Sequence, residues 1–192
     1  MPHETATREI HLHAVRIIAQ QGSQGAIDAL LEVLRGNADF RSTLASETLV
    51  AAGDAAIPGL ESLLEDEDEW IRWRATLCLS RIASKACLPA LEQALLDDSP
   101  NVAWVAASGL SRLGAEAAPD VLRSVLNHRL SSATIRSLHY YADHLSPKST
   151  FRELVIATAG PASGAATLTA IDHVLGQITQ RRAGVAVTNV PS

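Results

Sequence analysis

This 192-residue sequence contains 7 histidines, 2 cysteines and 21 carboxylates, and their spacing assembles very little chemistry. His139 and Asp143 stand four apart with His144 adjacent. On a helix they would share a face and could hold one metal ion weakly. Such a pair without further ligands reads as a surface or packing feature. Cys78 and Cys87 give neither a disulfide framework nor a metal-ligand spacing. They read as reduced core thiols of a cytoplasmic protein. No Ser/His/Asp set and no phosphate-binding glycine loop is present. No catalytic residue, no metal and no cofactor are therefore expected.

The residues arranged for recognition are aromatic and acidic. Trp73 and Trp104 are 31 residues apart and stand at one position of a repeat described below. With 100° per residue from Ile71, Trp73 falls near about 200°, opposite the apolar stripe. Trp70 near about 260° and Leu77 near about 240° share that side. Exposed together, Trp70, Trp73, Leu77 and Trp104 would form an apolar patch of the kind that marks partner sites. The competing expectation is that neighbouring helices cover the rings. The run Glu65-Asp66-Glu67-Asp68-Glu69, echoed by Asp97-Asp98, falls between units. It reads as solvated helix caps, with a dock for a basic partner segment as the alternative. A second surface is expected to carry Glu32, Glu61, Ser62, Glu92, Gln93 and Arg123, polar and mildly acidic, and suited to a protein or peptide ligand.

These positions are set by a repeat. Gly53-Asp-Ala-Ala-Ile57-Pro58-Gly-Leu60-Glu-Ser-Leu63-Leu64 is followed by Ser84-Lys-Ala-Cys-Leu88-Pro89-Ala-Leu91-Glu-Gln-Ala-Leu95, then by Gly114-Ala-Glu-Ala-Ala118-Pro119-Asp-Val121. The apolar-Pro step recurs after 31 and then 30 residues, a period that indicates stacked supersecondary units. Proline fits the first turn of each second helix, where its missing N–H would be unpaired anyway. First helices are expected over 39–52, 69–83 with Asp68 as cap, and from Ser99-Pro100 onward. Ile71, Ala75, Cys78, Leu79 and Ile82 share one side, as do Val102, Ala106, Gly109, Leu110 and Leu113. Small residues at 75, 106 and 109 let neighbouring helices approach closely. In 39–52 the register slips by one, leaving its faces unassigned. An earlier pair is expected over 4–21 and from Ile27 to Leu34. After Leu126 the copy degrades, with Ile135-Arg136 in place of Val102-Ala103, a helix after Pro147 to about Ala159, and a last one around 168–178.

The run Ile57-Pro58-x-Leu60-x-x-Leu63-Leu64-x-Asp66-x-Asp68-x-x-Ile71-Arg72-x-x-Ala75 resembles the short HEAT-like repeat, the variety also seen in phycobilin-chromophore lyases. The resemblance covers roughly residues 10–160 and is strongest over 53–126. It implies an all-α, right-handed, armadillo-type α-solenoid, with first helices on the outer curve and second helices lining the inner one. The family's recurrent arginine is present at Arg72 but becomes Ala103 one repeat later, so an Arg–Asp ladder is incomplete. One HEAT-like family, deoxyhypusine hydroxylase, binds iron with repeated His-Glu pairs; only His3-Glu4 has that dipeptide here.

One solenoid over 1–180, of about five to six helix pairs with atypical capping units from about 127, and a tail over 181–192 are therefore expected. The net charge of −5 and pI near 5.8 argue against binding phosphate backbones. No apolar run is long enough for a membrane span, and the N-terminus lacks signal-peptide order. The expected function is a non-catalytic, cytoplasmic interaction scaffold or complex subunit holding a protein partner. The alternative, carried by the resemblance alone, is a lyase-like protein positioning a bilin on a carrier.

Overall fold

The computed structural model describes residues 17, 23–36, 40–114, 117–126, 130–145, 152 and 155–156. Among them every regular element is helical. The chain runs α1 (Gln24–Arg35), α2 (Phe40–Ala52), α3 (Ile57–Ser62), α4 (Glu69–Ile82), α5 (Leu88–Leu95), α6 (Pro100–Leu113), α7 (Ala118–Leu126) and α8 (Ser132–His144). Short 3-10 turns lead into α3 and α5, and the second helix expected over 57–65 finishes as a 3-10 turn over Leu63–Glu65. Of the expected helix over 4–21 only Ile17 is described, and it is helical and exposed; the helix expected over 168–178 and the tail 181–192 lie outside the described residues.

The local sequence explains where these helices begin and end. Asp68 caps α4 by accepting from the Trp70 N–H at 2.8 Å, and Ser99 Oγ caps α6 by accepting from the N–H groups of Asn101 and Val102. Ser131 does the same for α8. Pro58, Pro89 and Pro100 each occupy a first-turn position. Gly53 and Gly114 close α2 and α6 with positive φ, whereas α4 is closed by Ala83 at φ 51°.

Helices α2, α4, α6 and α8 pack side by side in one layer, while α1 and α3 pack together in a second. α5 joins the second layer through the 3-10 turn over Leu63–Glu65 and packs against both α4 and α6. This is an α-solenoid. Its core runs unbroken from Ile27 and Leu34 through Leu60, Leu79, Leu91 and Leu110 to Leu122 and Tyr141. The predicted stripes hold: Ile71, Ala75, Cys78 and Leu79 on α4 and Val102, Ala106, Gly109 and Leu110 on α6 are buried, with Ile82 and Leu113 half-buried. The unassigned α2 buries Ser42, Ala45, Thr48 and Leu49. Thr48 and Thr76 return their hydroxyl protons to carbonyls four residues back, which satisfies both in the core. Gly109 explains the closeness of the first layer. A Cβ there would sit 3.0 Å from the Ser80 Cα and 3.0 Å from Leu91 Cδ2.

Polar side chains tie the units at their turns. Arg72 grips both oxygens of Asp97 from the next unit, at 2.8 and 3.1 Å, and donates Nη1 to the carbonyls of Asp66 and Glu67. Arg74 reaches back across a whole unit to the carbonyls of Leu34 and Gly36 at the end of α1. One repeat after Arg72, Ala103 is fully buried.

Candidate partner-binding faces

The first layer carries the aromatic positions. Trp70 is 61% exposed and Trp104 48% exposed. Trp73 and Leu77 are half-buried, and Trp73 packs against the core. The four therefore differ: the position near 200° that exposes Trp104 on α6 is partly covered on α4. Trp70 meets Trp73 edge-on, centroids 5.7 Å apart. Trp104 lies 4.1 Å from Tyr140 of α8, and Tyr140 lies 4.1 Å from the His144 ring. Tyr140 was not expected in this row. Its only signal was a place on the first helix that follows Trp104.

The acidic run is mostly structural. Asp66 Oδ1 accepts from the Asp68 N–H, Asp97 Oδ1 accepts from the Ser99 N–H, and Asp68 is the α4 cap. Glu69 reaches to the start of α6, where its Oε1 accepts from Ser99 Oγ at 2.6 Å and Asn101 Nδ2 at 3.1 Å. These two hydrogen bonds hold the Glu69 carboxyl below its ordinary range. Glu65, Glu67 and Asp98 remain exposed.

On the second layer, Glu32 is exposed and pairs with Arg35 at 2.7 Å. Arg35, Glu32, Asp28, Gly59, Ser62 and Leu63 line an open groove of about 330 Å³ between α1 and α3. Glu61 is half-buried, Gln93 is exposed, and the exposed Arg123 donates to Asp120 at 2.7 Å. Glu92 is the unusual member. Its Oε1 is buried with no hydrogen-bond partner among the described residues. Burial first, then the nearby Asp120, push its carboxyl up to about 7 against the opposing pull of Arg123. The structure brings Glu92 and Arg123 together; Glu32 stands apart from them, at the α1 groove.

Cys78 and Cys87 are buried and unbridged, and burial raises the Cys78 thiol to about 11. His139 is exposed, while Asp143 points to Arg152 at 3.4 Å. Among the described residues no three His, Cys, Asp or Glu side chains are grouped to share a metal ion. None of their helices is long and apolar enough to cross a membrane.

Residues 57–139 match the family model of HEAT repeats. No curated protein matches the chain. Among solved structures it is similar to the complex of CpcE and CpcF of phycocyanin lyase from Nostoc sp.. That similarity has 21% identity and a TM-score of 0.42, over 85% of this chain and 69% of the other.

Proposed function

We propose that this chain is a non-catalytic scaffold or complex subunit that holds a protein partner on its solenoid surface. The observation that carries the reading is the exposure of Trp70 and Trp104 on neighbouring helices of one layer. Large apolar rings standing in water are costly unless another surface covers them, and tryptophan is enriched where partners bind most tightly. Glu61, Glu92 and Gln93 of the second layer, with Arg123 of α7, supply a further polar contact surface, and Glu32 a separate one at the α1 groove. The net charge of −5 disfavours nucleic acid as that partner.

The test compares the chain with its Trp70→Asp/Trp104→Asp form, each recovered gently from its own source and weighed by native mass spectrometry. A protein-sized added mass on the parent chain, lost in the double variant at unchanged helical content, is the expected result. Each ring should contribute about 2 kcal/mol or more, roughly a 30-fold change in affinity. An added mass that survives both substitutions places the contact elsewhere. The bilin-lyase alternative predicts instead an added mass of small-molecule size and a visible absorption band.

A further inference from the structure

We propose that the partner segment seated on this aromatic face carries an arginine, whose guanidinium lies over the exposed indoles and pairs with the Glu69 carboxylate. This deepens the scaffold reading and rests on it.

The bridge from α4 to α6 uses only part of the Glu69 carboxylate. Both hydrogen bonds to Glu69 fall on Oε1. Oε2 accepts none among the described residues. Trp73 stands one turn along α4 from Glu69, and Trp104 stands one turn along α6 from Asn101, the bridge's far end. Trp70 is the next residue to Glu69 and is mostly exposed. A carboxylate with one open oxygen thus starts the helix that carries Trp70 and Trp73 and bonds to the start of the helix that carries Trp104.

The surrounding charge selects the ligand. Glu65, Glu67, Asp68 and Asp98 are exposed near the same helix starts. Of the three arginines of α4, Arg72 is committed to Asp97 and two carbonyls and Arg74 to the end of α1, while Arg81 stands in the last turn, at the far end of the helix from Glu69. Arg72 offsets part of the charge on Glu69 and Asp98, but the exposed acids around these helix starts leave the face with an excess of negative charge beside the π-surfaces. A cation over an indole is attracted by the ring quadrupole, and the carboxylate adds a charge-assisted hydrogen bond. Arginine fits better than lysine, because its planar fork stacks on a ring while its edge meets a carboxylate.

The Glu69→Gln form isolates this role, since its amide oxygen can still accept from Ser99 and Asn101 while the charge is gone. A library of random displayed peptides would be selected on the full chain and counter-selected on the Trp70→Asp/Trp104→Asp form. An enriched peptide would then be resynthesised with citrulline in place of arginine. Enriched peptides should contain arginine. The citrulline change and Glu69→Gln should each weaken binding about tenfold, and their combination should cost little more than either alone. Tryptophan-dependent peptides without arginine, or a citrulline peptide that binds equally well, would overturn this inference and leave the scaffold reading standing. Recovery of no tryptophan-dependent peptide would overturn both. If Glu69→Gln lowers the melting temperature sharply, the citrulline arm alone decides.

Discussion

Two neighbouring junctions of this solenoid stack helices in the same way with opposite chemistry. Between α4 and α6 the turns are bound by charge: Arg72 holds Asp97 and two carbonyls, and Glu69 holds Ser99 and Asn101. Between α6 and α8 the arginine position is the buried Ala103, and rings take over. Trp104 leans on Tyr140, while Tyr141 is fully buried with its hydroxyl 3.5 Å from the Gly114 carbonyl. The backbone repeat asks only that successive first helices lie close. Either a polar clamp at the turn or aromatic volume along the helix meets that demand.

The largest effect is expected at the aromatic junction. Tyr141→Ala should lower stability by about 4 kcal/mol, the cost of emptying a large buried site, read by chemical denaturation. A loss below about 1 kcal/mol would mean that α8 is not held by this ring. At the polar junction Arg72→Ala should cost about 3 kcal/mol, because it strands Asp97 and two carbonyls together. A double-mutant cycle with Asp97→Ala should show a coupling of about 2 kcal/mol; additive losses would reduce the clamp to an ordinary surface pair.

The smallest effect sets two carboxylates, Glu92 and Glu69, apart by pH. The Glu92 carboxyl, beside Asp120 and Arg123, has a folded pKa of about 7 against 4.5. The folded state therefore binds the proton more tightly, and stability falls as pH rises from 4.5 to about 7. Glu92→Gln should flatten that fall and raise the melting temperature at neutral pH. The gain should be about 1 kcal/mol after allowance for solvent screening. Glu69 works in the opposite sense. Its lowered pKa stabilises the fold above the unfolded value of 4.5, and that contribution is lost as pH falls through the folded value. A Glu92→Gln form with the parent's pH profile would remove the distinction.

What the sequence revealed was what is local and periodic. Asp68 and Ser99 as caps, the prolines at 58, 89 and 100, and the stripe through Ala75 and Cys78 follow from spacing alone, so the two-layer order could be read early. The faces of α2 could not, because its buried set includes Ser42 and Thr48, whose polarity hides the stripe. The aromatic site was half legible. The 31-residue register found Trp73 and Trp104. It could not show that Trp73 sinks toward the core, that Tyr140 comes from the next unit to meet Trp104, or that Glu69 turns sideways to Ser99. Those contacts depend on how units sit against each other, which no single unit encodes.

The reach of Arg74 has a consequence for how the array melts. In a stack where each unit touches only its neighbours, an end unit can fray on its own, and stability is a sum of nearest-neighbour terms. Arg74 instead staples the end of α1 to α4, skipping the α2–α3 pair. Releasing α1 then also releases donors on α4, so α1 and α4 open as one cooperative block, and amide protons in α1, α2 and α4 should exchange at a common rate.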